Sequence, residues 1–221
     1  MLNESFFAGY VYEMTKGRNA SRATGGAQKA ASYHHGDLRD ALIAAAQTIL
    51  ERDGAAALSL RAVARIAGVS VAAPYHHFSD KQALLDAVAE RGFAALTGAM
   101  RERMERAKGA QARLDASGVG YVAFATKNPA LFGLMFSAAG HEGSTAAAAA
   151  RARSYAILQG AADAASPRGK ASPLECLRLW SVVHGIAKLV IEGCVAPGDY
   201  GVADAEKLAA LMFSRGRGAH S

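Results

Sequence analysis

The side chains best placed for chemistry in this chain are hydroxyl, imidazole and basic groups between Ser59 and Lys81. Such groups hydrogen-bond to, and form ion pairs with, an anionic partner such as a phosphate backbone. The pairs His34-His35 and His76-His77 have the residue type of metal ligands, but adjacent residues on a helix point apart. No Cys, His or carboxylate stands at a spacing that would complete a metal site.

Sequence signs of an enzyme are missing as well. The chain has neither a phosphate-binding glycine loop nor a nucleophile elbow. We therefore expect no catalytic residue, no cofactor and no metal. The two cysteines, Cys176 and Cys194, are too few for a disulfide framework or a cysteine-based zinc site, and we expect both to be core or interface residues.

Composition favours an all-α protein that works in the cytoplasm. Hydrophobic residues make up 51% of the 221 residues, and most of them are Ala, Leu and Val; Ala is the best helix former. No apolar run reaches the length of a membrane span, and the N-terminus lacks the pattern of a secretory signal. The net charge of +6 permits a nucleic-acid partner without establishing one.

A helix is predicted from Asp37, which can cap its start, to Asp53-Gly54, which ends it. Its apolar residues recur at steps of three and four and form one stripe. They are Leu38, Ala41, Leu42, Ala45, Ile49 and Leu50.

The next stretch has the spacing of a helix-turn-helix unit. Ser59 is the predicted cap of a helix whose apolar face comprises Leu60, Val63, Ala64 and Ala67. Gly68 permits a tight turn, and Ser70 is the predicted cap of a second helix that runs to His77. A third helix begins at Ser79-Asp80-Lys81 and is expected to continue to about Ala107.

These residues resemble the DNA-binding region of TetR/AcrR-family regulators. The resemblance rests on Ser59–Ala64, Ala67–Ser70, Tyr75–Phe78, Lys81 and Leu84-Leu85. It implies a three-helix DNA-binding domain over 37–82 and an all-α ligand-sensing and dimerising domain over 83–221. Pro74 stands where the family usually has Leu or Ile, so we expect a distorted recognition helix.

Residues 1–36 are predicted to be a flexible basic extension, because Gly, Ser, Thr and basic residues predominate between Met14 and Gly36. Three interpretations stay open. The segment is a solvated tail, the product of an over-long start, or an arm that lies along phosphate or enters the minor groove.

Sequence readout is expected mainly from Ser70–His76. Its small apolar side chains can meet thymine methyl groups but cannot form the bidentate pairs that Arg makes with guanine. Arg61 is the best candidate for a strong polar contact, and Lys81 is expected to contact phosphate. The predicted DNA-contacting residues are Ser59, Arg61, Ser70, Val71, Ala72, Ala73, Tyr75, His76 and Lys81.

The C-terminal half reads as helices near 111–127, 129–137, 145–165, 174–192 and 203–215. Asn128–Phe136 and Leu179–Gly185 resemble the family's subgroup named after a Trp-His-Gly motif. Aromatic and Met side chains gather here, either as ordinary core or as the lining of an apolar pocket between helices. The candidate ligand-binding residues are Tyr121, Phe124, Phe132, Met135, Phe136, Tyr155, Trp180 and His184.

The resemblance also implies how the chain works. Two copies would pair through the helices near 174–192 and 203–215, where Gly185 and Ala187 permit close contact. Each would place its reading segment on one half of a palindromic operator in double-stranded DNA. A small apolar or amphipathic effector would release a repressor from that operator. The alternative is an architectural DNA-binding dimer that senses no ligand.

Overall fold

The computed structural model describes residues 35–137 and 145–215, so the predicted basic extension lies almost entirely outside the described residues. Within those ranges all regular structure is helical, which confirms the predicted all-α class. The α-helices are α1 (His35–Asp53), α2 (Leu60–Ala67), α3 (Lys81–Glu105), α4 (Ala110–Lys127), α5 (Pro129–Met135), α6 (Thr145–Ala165), α7 (Pro173–Ile191) and α8 (Ala205–Arg215). Short 3-10 helices cover Ala55–Ala57, Ala73–His76 and Pro197–Tyr200.

Helix α1 precedes the helix-turn-helix unit, below called the reading unit, and α2 forms the first half of that unit largely as the sequence predicts. The Ser59 hydroxyl accepts a hydrogen bond from the backbone N–H of Ala62, 3.1 Å away. Gly68 ends α2 with a φ of 69°, a left-handed conformation that glycine adopts without steric cost. The prediction that Asp37 caps α1 is wrong, because the helix already begins at His35.

The second helix of the unit differs from its prediction. Instead of a helix over Ser70–His77, the chain makes a turn followed by the single 3-10 helix Ala73–His76. Pro74 explains the change, because it has no N–H to donate and its ring would clash with the carbonyl of Ser70 in an α-helix. The residue at the cap position is Ala72, which makes no side-chain hydrogen bond. The prediction that Ser70 caps this helix is therefore wrong.

Helix α3 joins the two halves of the chain. Asp80 caps it by accepting from the N–H of Ala83 at 2.8 Å. It contacts α1 as well as α4, α5 and α6, and it buries Leu84, Leu85 and Val88 in its first turns and further apolar residues in its later turns. The predicted domain boundary at 82/83 therefore falls within the first turn of one continuous helix.

Helix α4 lies at the centre of the C-terminal half, in contact with α3, α6, α7 and α8. It crosses α3 closely at Gly120, where a Cβ atom would stand 2.7 Å from the carbonyl oxygen of Ala99. A capping box between Ser172 and Glu175 begins α7. The bounds of α4 to α8 differ from the predicted ones by at most two residues at either end. No helix in the described part of the chain has the length and apolar character needed to cross a bilayer.

We expect Gly120→Ala to lower the free energy of unfolding by about 1–3 kcal/mol, the usual cost of overpacking. The added methyl group meets backbone atoms of Ala99 and Met100, which cannot move aside as a side chain would. Gly133→Ala is the matched control, because Gly133 is a helical glycine with open space around it. Urea denaturation should show the control unchanged or stabilised. Equal effects of the two substitutions would contradict the close crossing of α3 and α4.

Candidate functional site

The helix-turn-helix unit presents one exposed face made from α2 and the 3-10 segment. Val71 is 54% exposed and Tyr75 is 52% exposed, although both are large apolar side chains. Arg61 of α2 and His76 of the 3-10 segment are exposed as well. Buried Pro74 fixes the 3-10 segment from below. The result is a short, anchored segment whose side chains are free to meet a partner.

Eight of the nine predicted DNA-contacting residues are exposed, and Ala73 is half-buried. Two of the polar ones already have partners within the chain. The Ser59 hydroxyl caps α2, and Lys81 donates from Nζ to the carbonyl oxygen of Ala55 at 3.2 Å. An ammonium group carries three protons, so Lys81 keeps donors for a phosphate.

A cavity of about 320 Å³ lies between α3, α4, α6 and α7. This volume falls at the lower end of the range found for small-molecule sites. Most of its wall is apolar and aromatic. The lining residues are Phe93, Leu96, Met100, Ser117, Gly118, Tyr121, Phe136, Ala148, Arg151, Ala152, Ser154, Tyr155, Leu158, Trp180 and Val183.

The cavity brings together half of the predicted ligand-binding residues: Tyr121, Phe136, Tyr155 and Trp180. The other four are Phe124, Phe132, Met135 and His184. Phe124, Phe132 and Met135 are buried in the hydrophobic core, and His184 is half-buried behind Tyr121. Sequence reasoning missed Phe93, Leu96 and Met100 as lining residues, because their helical spacing marks them as core and carries no sign of a cavity.

A hydrogen-bonded group of three side chains closes one end of the cavity. The Tyr121 hydroxyl lies 2.9 Å from His184 Nδ1, and Trp180 Nε1 donates to the same hydroxyl at 3.4 Å. Burial lowers the pKa of His184 to about 4, assisted by the positive charge of Lys188. Burial also raises the pKa of Tyr121. Both rings are therefore neutral near pH 7; the histidine tautomer decides whether Tyr121 O–H or His184 Nδ1 donates, while the indole donates to the tyrosine oxygen.

The two serines of the wall also have partners within the chain. Ser154 donates to the carbonyl oxygen of Phe93 at 2.9 Å and lies 2.7 Å from the hydroxyl of Thr97. Ser117 donates to the carbonyl oxygen of Leu114 at 2.7 Å. Among the described residues, every buried side-chain nitrogen or oxygen has a hydrogen-bond partner. The cavity interior therefore behaves as an apolar surface.

Helix α5 connects the cavity with the reading unit. At its start, the Glu51 carboxylate of α1 accepts from the N–H groups of Leu131 at 3.0 Å and Ala130 at 3.4 Å. At its end, Phe136 lines the cavity. Sequence reasoning missed Glu51, because its partners lie about 80 residues away; the only local signal is that the first N–H groups of a helix need acceptors.

Helix α7 carries a second exposed apolar face. Leu174, Leu177 and Leu189 are each about half exposed, and Val182 is 41% exposed. Gly185 has open space where its side chain would be. Ala187, predicted to permit contact with a second chain, instead lies fully buried in the core.

The described residues contain no group of three His, Cys or carboxylate side chains that could hold a metal ion.

Two protein-family models match the sequence. One, for bacterial regulatory proteins of the tetR family, matches residues 42–88. The other, for a tetracyclin repressor-like C-terminal domain, matches residues 114–215. No curated protein is similar enough in sequence to match.

Solved structures provide a further comparison. A protein with unknown function from Rhodococcus sp. RHA1 is 37% identical, and the alignment covers 83% of this chain and 97% of that protein, with a TM-score of 0.68. The TetR family regulators PfmR from Thermus thermophilus and a second from Marinobacter aquaeolei are 19% and 22% identical. Their TM-scores are 0.59 and 0.60, and each alignment covers 80% of this chain and 93% of the regulator. At 19% and 22% identity, the similarity to these two regulators shows a shared fold.

The lowered pKa of His184 predicts a pH-dependent stability. Above the ordinary histidine pKa of 6.5, neutral His184 costs the folded state no stability. As pH falls from 6.5 towards about 4, the free energy of unfolding decreases, because His184 binds a proton in the unfolded chain but not in the folded one. At pH 5 the loss amounts to at most about 2 kcal/mol. Urea unfolding at pH 7.5 and pH 5 should therefore show a larger loss in the wild type than in His184→Gln. If both lose the same free energy, His184 is not the buried neutral group described above.

Proposed function

Because the chain belongs to the TetR family of bacterial regulatory proteins, we propose that it is a dimeric repressor released from DNA by a small molecule. Members of this family are DNA-binding transcriptional regulators. The observation that carries the proposal is the exposed face of the helix-turn-helix unit, anchored by buried Pro74 and Phe78. Trp180, His184 and Gly185 support the further proposal that the chain belongs with the Trp-His-Gly subgroup.

The reading segment is short, and this shapes the proposed contacts. The turn before the 3-10 helix exposes Val71 and Ala72, and the 3-10 helix itself exposes Tyr75. Small apolar groups can meet thymine methyls and let the segment lie close to the floor of the major groove. Arg61, exposed in the first turn of α2, then supplies the strong polar contact to a phosphate or a guanine edge.

The exposed face of α7 supports a dimer with two-fold symmetry. Leu174, Leu177 and Leu189 would cost free energy in water, and a second copy of the same face would cover them. Met212, which is 47% exposed, lies on α8, the second predicted dimer helix. Two reading segments would then enter successive major grooves, roughly 34–36 Å or somewhat more apart.

The cavity supports sensing, and it distinguishes the proposal from an architectural dimer, which needs no such space. An apolar or amphipathic molecule that fills it would press on Phe136 at the end of α5. Since α5 is held to α1 through Glu51, a shift of this helix would move the reading unit. The effector thereby favours a state whose two reading segments are wrongly spaced for the operator.

DNA recognition is tested with a duplex selected from a random library and measured by fluorescence anisotropy. Arg61→Ala should weaken operator binding by roughly 1–3 kcal/mol if Arg61 reads a base. Lys81→Ala should weaken all sequences alike and lower the salt slope by about one. Arg113→Ala, at the exposed start of α4, is the control and should leave affinity unchanged. Selection of no preferred sequence would refute the proposed function.

Dimerisation is tested by light scattering at micromolar concentration. The wild type should have twice the 22.9 kDa mass of one chain. Leu177→Glu places like charges against each other across a two-fold axis and should shift the mass towards that of a monomer. Ile66→Glu changes a similarly exposed apolar residue on α2 and should leave the mass unchanged. A dimer that survives Leu177→Glu unaltered would place the interface elsewhere.

A further inference from the structure

The cavity wall carries charge of one sign. Among the described residues that line it, Arg151 alone carries a full charge, and it is exposed to solvent. Arg151 therefore lies where the cavity opens, while the aromatic residues line the interior. Ala148, in the first turn of α6, also lines the wall, so the positive end of that helix dipole adds to the same potential.

The buried interior offers few partners for a charged group. The hydroxyls of Tyr121, Ser117 and Ser154 each have a hydrogen bond within the chain. His184 is neutral near pH 7 because burial lowers its pKa to about 4. A charged group carried into this space would lose its hydration without compensation. Any charge on a ligand must therefore stay at the opening, beside Arg151.

We propose that the effector is an organic acid, with an apolar body in the cavity and a carboxylate held by Arg151. The inference rests on the proposed sensing function and adds the chemical class of the ligand. A guanidinium has five N–H donors in a planar fork, so Arg151 can receive a carboxylate while keeping another contact. The same arrangement disfavours cationic ligands, since they would meet a like charge at the opening.

Three ten-carbon probes that differ only in the head group separate these possibilities: decanoate, 1-decanol and decylamine. Their affinities for the full chain at pH 7.5 are measured by isothermal titration calorimetry and by the fluorescence of Trp180, the single tryptophan. Decanoate should bind about tenfold or more tightly than decanol, the worth of a hydrogen bond to a charged group. Decylamine should bind more weakly than decanol.

Arg151→Gln should remove the preference for decanoate over decanol and leave decanol affinity unchanged. Arg153→Gln is the matched control, because Arg153 is exposed on the same helix but does not line the cavity. If the wild type binds decanoate and decanol alike, or Arg151→Gln weakens both equally, the assignment of an acid is overturned while sensing stands. If none of the three probes binds, both the acid and the sensing function are overturned.

Discussion

The structure depends on helix α3, which the N-terminal half and the wall of the cavity share. Over 25 residues α3 contacts α1 of the N-terminal half and contributes Phe93 and Leu96 to the wall of the cavity. Close-packed interiors move as units, so a change at the cavity end cannot stay local. Gly120 of α4 and the backbone of α3 at Ala99 approach so closely that these helices cannot slide independently. The contact of Glu51 with α5 adds a second tie to the same two regions.

The cavity presents a mainly apolar surface because polar side chains in and behind its wall hydrogen-bond within the protein. Hydrogen bonds join Tyr121 to His184 and Trp180, and burial keeps the histidine neutral near pH 7. An apolar space bounded by satisfied groups accepts apolar molecules at little cost, whereas a buried charge would be expensive. The positive charge of Arg151 remains at the rim, where water and solutes reach it.

Local sequence patterns predicted most of the helices, because caps, apolar periodicity and turn glycines act over a few residues. Ser59 and Gly68 are examples, and both have the expected roles. Pro74 signalled a distortion of the second helix, but the sequence did not show that only a single 3-10 helix would remain. Residues distant in sequence could not be paired in this way. Glu51 meets Leu131 because α1 packs against α5, and Phe93 meets Ser154 because α3 packs against α6.

The central claim is that the cavity and the reading unit share one conformational equilibrium. Thermodynamic linkage provides its most direct test, because coupling between two sites must be reciprocal. Decanoate affinity is measured by Trp180 fluorescence with and without saturating operator, and operator affinity with and without decanoate. We predict that each ligand weakens the other by the same factor, roughly 5–150-fold. A decanoate affinity that is identical on free and operator-bound protein would contradict the claim.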